Sequence, residues 1–172
     1  MLTKVRPAQA LPPSFSSSDF RSALGMFATG VAIVTARSGD GTLVGLTVSS
    51  FNSVSLAPPL VLWSLSNHAT SMSAFTVGSH YAINILGAQQ QDLALQFAAR
   101  DGDRFAGVRF SDGVGGAPLI DGAVATFECF NRSRYNEGDH VIFVGEVERC
   151  NHTASASPLL YHGGQFYTEH PL

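Results

Sequence analysis

Charged side chains are scarce in this chain, and their scarcity limits what the protein can be. Only 13% of its 172 residues are charged and 45% are hydrophobic, whereas charged residues make up about 25% of ordinary soluble domains. A domain of this size has a large surface to cover with polar groups. The shortfall predicts that a second copy covers part of the apolar surface, so that the protein is a homodimer.

Clustered positive charge and long apolar runs are also missing. The net charge is −3, and the Lys and Arg residues are scattered, which argues against nucleic acid as a partner. No apolar run approaches the length that spans a bilayer, and no long hydrophobic region follows the amino terminus. These absences predict a cytoplasmic protein with no membrane partner.

Cysteine is nearly absent, and the common catalytic motifs are missing. Cys129 and Cys150 fall in strand-like apolar segments, so we expect two buried, reduced thiols.

The lack of GxSxG, Walker and GxGxxG motifs argues against serine hydrolases, NTPases and Rossmann dehydrogenases. The six histidines show no HxH or HxxxH spacing, so we expect no metal site. Glu146 and Glu148 share one face of a strand and are interpreted as solvated side chains.

The order of local patterns predicts one domain after a short arm. Residues 1–17 are rich in Pro and Ser and lack periodicity, so they are predicted to be a flexible arm before a domain of residues 18–172. Ser18 or Asp19 is predicted to cap a first helix that Gly30 ends. The further predicted helices start at Asn67 or Thr70 and at Gln89, and the predicted strands cover residues 31–35, 43–50, 60–65, 81–86, 123–131, 140–150 and 165–167. Mostly antiparallel strands with a few short helices predict a mainly β fold built on an antiparallel barrel.

Small hydroxyl side chains alternate with apolar ones through the segment 47–55, TVSSFNSVS, which leads into an apolar run at 58–66. Its β-branched residues predict a strand. Hydroxyls and backbone groups without bulky neighbours would let a planar heterocycle with a polar edge lie along this strand. A solvated edge strand explains the same pattern, and the segment alone does not decide between the two.

Three other polar positions are candidates for binding chemistry. His140 follows Gly138 and Asp139 where a loop meets a strand, so its side chain would be held yet accessible, although an ordinary strand-end histidine explains it too. Arg104 is one of few cations and would either contact an anion or form a surface ion pair. The segment 66–71 precedes a helix N-terminus, which suits either a phosphate or simple capping.

Five segments carry a family resemblance through their order and spacing. They are TVSSFNSVSLAPPLVLWSLS at 47–66, AINIL at 82–86, DRF at 103–105, FEC at 127–129 and GDHVIFVGEV at 138–147. Together they resemble the short-chain flavin reductases that serve two-component monooxygenases. The resemblance implies an FMN-binding split barrel, a homodimer with flavin near the subunit interface, and reduction of FMN or FAD by NADH or NADPH. The reduced flavin would then reach a separate monooxygenase.

The resemblance also implies a set of site residues. Segment 47–50 would line the isoalloxazine ring, with Asn84 nearby, and residues of 66–71 would contact the phosphate. The implied cofactor-binding residues are Thr47, Val48, Ser49, Ser50, Ser66, Asn67, Ser71, Asn84, Arg104 and Tyr167. His140, supported by Asp139, resembles a residue that binds the nicotinamide, and Phe166 with Tyr167 would close the pocket. No metal ligand is implied.

We hypothesise that a hydride passes from nicotinamide C4 to flavin N5 while the protein stacks and orients the two rings. Backbone N–H groups and hydroxyls of segment 47–50 would meet the negative charge that grows near flavin N1 and O2. A non-catalytic flavin- or haem-binding redox module on the same barrel is the alternative, and the motif at 138–140 speaks against it. A relative of the pyridoxamine-phosphate oxidases would need more basic residues. The sequence does not separate FMN from FAD, or NADH from NADPH.

Overall fold

The structure is a computed structural model that describes residues 10–170. The first nine residues of the predicted arm and the last two of the predicted domain lie outside the described residues, and the boundary between arm and domain stays a prediction. Within residues 10–170 the helices are α1 Ser17–Gly25, α2 Met72–Val77 and α3 Gln91–Ala98. The strands are β1 Thr29–Gly30, β2 Ala32–Arg37, β3 Leu43–Val48, β4 Asn52–Leu56, β5 Pro59–Ser66, β6 His80–Ile85, β7 Phe110–Asp112, β8 Pro118–Ile120, β9 Ala125–Glu137, β10 His140–His152, β11 Leu160–His162 and β12 Gln165–Tyr167.

Seven strands form the main sheet, in the order β3-β2-β6-β9-β10-β5-β4. Every neighbouring pair in this sheet is antiparallel. The two edge strands, β3 and β4, are consecutive in the chain, and only residues 49–51 join them. This short link brings the two edges together at one end, so the sheet curls into a split barrel. The predicted mainly β, antiparallel split barrel with a few short helices is confirmed.

Alternation along the strands decides which side chains fill the barrel. Every second residue is buried along β5 and along the first half of β10, including Trp63 and Phe143, whose stacked rings have centroids 4.8 Å apart. Phe75 of α2 contacts Trp63 edge-on at 4.9 Å. All three side chains are almost completely buried. Their removal from water stabilises the fold and fixes α2 against the barrel.

The outer face of the sheet carries a second core under α3. Ile33, Leu86 and Phe97 are fully buried there. Gly45 of β3 allows the close approach of α3, since a Cβ at this position would lie 2.6 Å from the Phe97 ring. Because α3 is held this close to β3, the two elements can share the walls of a cleft.

The hydroxyl-rich segment 47–55 is not the continuous strand that its pattern predicts. β3 ends at Val48 and β4 begins at Asn52. Between them, Ser50 Oγ accepts a hydrogen bond from the Ser64 N–H (3.0 Å) and donates one to the Ser64 carbonyl (3.3 Å). A side chain thus replaces the backbone ladder at this point, and the strand breaks.

Several other predicted boundaries shift. The link between the predicted strands 123–131 and 140–150 is mostly strand, because β9 continues to Glu137 and pairs with β10. The turn is reduced to Gly138 and Asp139, and the glycine has a φ of +61°, which suits a two-residue hairpin turn. Two further sheets are small: β1-β11-β12 and the pair β7-β8. Of their five strands, the sequence predicted only β12.

The first helix and the second cysteine also need correction. Ser16 caps α1 in a reciprocal capping box with Asp19, and the helix ends at Gly25 rather than Gly30. The expectation of two buried thiols is wrong for Cys150, which is exposed, while Cys129 is buried and both are free.

No helix within residues 10–170 is long and apolar enough to cross a membrane. In the same range no group of three or more His, Cys, Asp and Glu side chains could hold a metal ion.

Candidate functional site

A cleft with largely apolar walls opens beside the end of β3, and we call it the β3 slot. Its volume is about 300 Å³, and α3 and the small sheet of β11 and β12 supply the walls across from β3. The lining residues are Val31, Thr47, Val48, Ser49, Ala94, Leu95, Ala98, Tyr161, Gly164 and Phe166. Apolar and aromatic walls with a few polar groups suit a ring system that carries polar edges.

Only one of the hydroxyls predicted to line a flavin is free. Thr47 Oγ1 donates a hydrogen bond to the Ala94 carbonyl of α3 (2.7 Å). The Ser50 hydroxyl is hydrogen-bonded to the backbone of Ser64 in β5. The Ser49 side chain is exposed, and within residues 10–170 its hydroxyl has no hydrogen-bond partner. Ser49 and the backbone at the strand break are therefore the groups left to meet a polar ring edge. The cofactor role of residues 47–50 stays a prediction.

A second cleft, which we call the arginine cleft, lies further along β3 and has a volume of about 250 Å³. Arg104 is anchored in its wall: Nε and Nη2 donate to the Ala99 carbonyl (3.1 and 2.8 Å), and Nη1 donates to the Gly45 carbonyl (2.8 Å). A guanidinium has five N–H donors, so two remain for a ligand. Arg100 lines the same cleft and has no hydrogen bond or ion pair within the described part of the chain.

Two hydroxyls complete the arginine cleft. Thr70 and Ser71 both line it, and neither side chain has a hydrogen-bond partner among residues 10–170. Asp103 also lines the cleft, but its Oδ1 accepts a hydrogen bond from the Phe105 N–H (2.9 Å). Two guanidinium groups against one carboxylate leave the cleft positive. Charge and hydroxyl donors together suit an anion such as phosphate.

The β3 slot and the arginine cleft are neighbours along the same two elements. Thr47 in the slot and Gly45 in the cleft are alternate residues of β3, and Ala98 and Arg100 stand two residues apart at the end of α3. Successive strand residues rise about 3.3 Å, so the two openings lie within the span of one small ligand. A ring held in the slot can therefore carry an anionic tail into the cleft.

Two of the predicted phosphate contacts lie elsewhere. Ser66 Oγ accepts a hydrogen bond from a backbone N–H of its own turn (3.3 Å), and Asn67 Nδ2 donates to the Gly138 carbonyl (3.3 Å). These bonds tie the segment to the β9–β10 turn. The structure thus brings Ser71 together with Arg104, but it places Ser66 and Asn67 outside the arginine cleft.

His140 stands at the same end of the barrel as the strand break. It is the first residue of β10 and faces Ser66 of β5, two residues from the Ser64 that anchors the break. Its Nδ1 lies 2.7 Å from Asp139 Oδ1, and the side chain is partly exposed. The hydrogen bond from His140, assisted by its charge, holds the pKa of the Asp139 carboxyl below its usual value. Asp139 is thus a fixed negative partner that orients the imidazole.

Asn84 is placed away from both clefts. Its side chain is fully buried, with Nδ2 donating to the Ile33 carbonyl (3.1 Å) and Oδ1 accepting from the Ile120 N–H (2.9 Å). These bonds join β6 to β2 and β8. Both polar atoms are therefore occupied inside the protein, and the position does not favour the predicted contact with flavin.

Tyr167 also lies outside the β3 slot, because alternation along β12 sends it to the opposite face from Phe166. Phe166 lines the slot, whereas the Tyr167 hydroxyl donates to Gln165 (3.1 Å). Tyr161 of β11, which the sequence did not single out, lines the slot instead. The predicted closure by the carboxy-terminal segment is therefore supported for Phe166 and not for Tyr167.

Arg100 and Tyr161 are lining residues that the sequence did not single out, and Thr70 was not named as a site residue. The spacing of Arg100 and Arg104 was visible, but it signals a shared cleft only when the end of α3 is known. Thr70 was considered only as a helix cap or as one member of segment 66–71, which suited either a phosphate or capping. Tyr161 lies in a strand of three residues, which is too short to show a period.

Comparison with known proteins gives one consistent result. A model of the flavin reductase like domain matches residues 24–170. An FMN reductase (NADH) of Agrobacterium fabrum is 43% identical over 156 residues, which cover 91% of this chain and 88% of that protein. The reductase component of a flavin-dependent trigonelline monooxygenase of Acinetobacter baylyi is 40% identical over 150 residues, covering 87% of this chain and 48% of that protein. The solved NADH:FAD oxidoreductase of Streptomyces globisporus, in complex with NAD and FAD fragments, superposes with a TM-score of 0.87 at 37% identity, covering 95% of this chain and 98% of that one.

Proposed function

The chain belongs to the flavin reductase-like family, and from that premise we propose that it reduces FMN or FAD with NADH, with flavin bound along β3. The prediction of a flavin reductase, rather than a non-catalytic redox module, is confirmed by the relatives, one of which is an FMN reductase (NADH). The observation that carries the proposed binding mode is that the β3 slot and the arginine cleft are neighbours along β3 and the end of α3. It offers one site for a ring and one for a phosphate.

The residues of the two clefts fit such a cofactor. The apolar walls of the slot, among them Tyr161 and Phe166, would hold the ring, and Ser49 would meet its polar edge. Arg100, Arg104 and Ser71 would bind the phosphate. When bound, the flavin supplies the acceptor for a hydride from the reduced nicotinamide. The work of the protein is to hold the two rings within reach of each other and to keep water from between them.

His140 is the proposed contact for the nicotinamide. It lies at the same end of the barrel as the open backbone of residues 49–51, and Asp139 fixes the orientation of its ring. A positioned imidazole can donate a hydrogen bond to the carboxamide of a nicotinamide, which would orient the ring without any proton transfer to the reacting carbon. Its role is binding and orientation.

A separate monooxygenase is the proposed consumer of the reduced flavin, because one relative is the reductase component of a flavin-dependent monooxygenase. We also propose that the chain acts as a homodimer in the cytoplasm. Support for the homodimer comes from α1, in which none of the residues is buried, and from the exposed Leu24, Met26 and Phe27 at its end. Leu24 and Phe27 line a cleft of about 560 Å³ that shares Ser49 and Tyr161 with the β3 slot. A second copy seated there would close the slot.

The test of the function is consumption of NADH by purified protein with a catalytic amount of FMN. We expect many turnovers per flavin, because oxygen reoxidises the released product. The alternative, a redox module, predicts at most one turnover per bound flavin. Running the assay with FAD, and with NADPH in place of NADH, determines both preferences.

The role of His140 is tested with His140→Ala. We expect the KM for NADH to rise about tenfold, which corresponds to the loss of one hydrogen bond, while the KM for FMN changes little. His152→Ala is the matched control, because His152 is an exposed histidine at the opposite end of the same strand. Wild-type values for both NADH binding and flavin reduction in His140→Ala would exclude this role.

A further inference from the structure

Three polar side chains in mutual contact, those of Ser79, His80 and Glu148, lie outside both clefts. Ser79 Oγ is 2.9 Å from His80 Nδ1, and His80 Nε2 is 3.2 Å from Glu148 Oε2. In the neutral tautomer in which Nδ1 accepts from the serine hydroxyl, the proton is on Nε2, which lies within ion-pair distance of the Glu148 carboxylate. This is the order of contacts in a nucleophile, a base and an acid that orients the base.

Glu148 reaches His80 because of an irregularity in β10. The pairing of β10 with β9 shifts its register between Val147 and Arg149, so Glu148 is the extra residue of a β-bulge. Bulges turn a side chain away from the regular alternation of its strand and are frequent beside active sites. The sequence-based interpretation of Glu148 as a solvated strand residue is therefore incomplete.

The His80 ring is held from a second side. A Cβ at Gly115 would lie only 2.6 Å from His80 Cβ, so the backbone of the turn at 114–116 packs directly on the histidine. The Phe130 ring contacts the imidazole edge-on, with centroids 5.6 Å apart. The base is thus clamped by backbone and by an aromatic ring, whereas Ser79 itself is exposed to solvent.

Ser79 opens into a cleft that could receive a substrate. The cleft has a volume of about 490 Å³, and its lining includes Ser79, Ser73, Val77 and Arg37. Arg37 donates to the Gly116 carbonyl (3.0 Å), to the Gly41 carbonyl (3.5 Å) and to Asp112 (2.5 Å). Two of its five N–H groups have no acceptor among residues 10–170 and could meet a developing negative charge.

We propose that Ser79, His80 and Glu148 form a second reactive site, in which Ser79 accepts an acyl group from small carboxylic esters and passes it to water. The Ser79 oxygen attacks the ester carbonyl carbon while its proton moves to His80 Nδ1. The bond to the alcohol oxygen breaks, and the alcohol leaves with that proton. Water then attacks the acyl-serine, gives a proton to His80, and releases the carboxylic acid as the serine regains its proton.

The test uses the full chain with p-nitrophenyl acetate. We expect release of p-nitrophenol together with one acetyl group per chain, which peptide mapping places on Ser79. Ser79→Ala should lose both, and His80→Gln should slow the acylation by about 10²-fold or more, the usual contribution of a general base. Glu148→Gln should slow it less, because the imidazole is kept but its orientation is not.

Ser73→Ala is the matched control, since Ser73 lines the same cleft without an imidazole partner among the described residues. Flavin-dependent NADH oxidation serves as the check on folding, and Ser79→Ala should leave it unchanged because Ser79 touches neither proposed cleft. Hydrolysis by Ser79→Ala at the wild-type rate would overturn the proposal. Acetylation of other residues without Ser79, or no p-nitrophenol release by the wild-type chain above the buffer rate, would overturn it equally.

Discussion

Arg100 and Arg104 sit in the same cleft but are held in different ways. Three N–H groups of Arg104 donate hydrogen bonds to backbone carbonyls, whereas the Arg100 side chain has no hydrogen bond or ion pair within residues 10–170. Replacing Arg104 would therefore change the loop that follows α3 as well as the binding of a ligand. Arg100 is the better probe, because its loss should change ligand binding alone.

We predict that Arg100→Gln raises the KM for FMN about tenfold and leaves the KM for riboflavin unchanged. The physical reason is the lost charge-assisted hydrogen bond to a phosphate, worth about 1.5 kcal/mol or more. Riboflavin has no phosphate, so its KM should not depend on Arg100. Arg109→Gln removes a largely exposed arginine outside the arginine cleft and serves as control. An equal effect on both flavins would show that Arg100 does not bind the phosphate.

The two cysteines should differ in reactivity. Burial, helped by the nearby carboxylates of Glu148 and Glu128, raises the pKa of the Cys129 thiol to about 12. The thiolate is the reactive form, so Cys129 stays inert at mildly alkaline pH, while Cys150 is exposed. We predict that Ellman's reagent titrates one thiol in the folded protein and two in urea. Cys150→Ser should leave none in the folded protein; a fast-reacting thiol in that variant would contradict the burial of Cys129.

At the scale of elements, the break between β3 and β4 depends on a single side chain. Ser50 satisfies both the N–H and the carbonyl of Ser64. We predict that Ser50→Ala lowers the free energy of unfolding by about 1–3 kcal/mol, the cost of leaving such groups unpaired. Ser53→Ala on β4 is the matched control, since the Ser53 hydroxyl has no partner in the described chain. Urea unfolding at unchanged m-value measures both. Equal stability of the two variants would show that water replaces the Ser50 hydroxyl.

The same break shows where sequence reasoning succeeds and where it stops. β10 was predictable, because the apolar, β-branched run from Val141 to Val144 follows the polar turn at Gly138. The interruption after Val48 was not, since it depends on the hydrogen bonds between Ser50 and Ser64, which are fourteen residues apart. Strands of two or three residues, such as β1 and β11, show no period at all. Local pattern therefore predicts the long strands and misses the links between them.

Some residues of the candidate site were likewise predictable from the sequence, and others depend on the fold. Arg104 could be singled out because the chain has few cations, and Ser71 because it precedes a helix. The burial of Asn84 could not be foreseen, because its partners belong to β2 and β8 and only the folded sheet brings them together. The side of β12 that faces the slot depends on a small sheet that the sequence did not reveal, so Tyr167 was named and Tyr161 was missed.

At the scale of the whole molecule, the low charge content and the exposed apolar side chains point to the same surface. Leu24 and Phe27 are 57% and 76% exposed, although both are large and apolar. They line the cleft that adjoins Ser49 at the end of β3. Exposed apolar groups beside an open binding cleft are typical of a surface that another subunit covers. The proposed dimer would therefore bury α1 and enclose the β3 slot in one step.

We predict that the wild-type chain sediments as a dimer at micromolar concentration and that Leu24→Asp with Phe27→Asp weakens the dimer at least tenfold. Burying two carboxylates in an apolar interface is costly, and such central apolar contacts commonly contribute about 2 kcal/mol each. Val77→Asp is the control, because Val77 is also a highly exposed apolar residue but belongs to α2. If the slot is completed by the partner, the KM for FMN should rise in step with dissociation as the protein is diluted. A wild-type monomer with full activity would contradict both the dimer and its role in closing the slot.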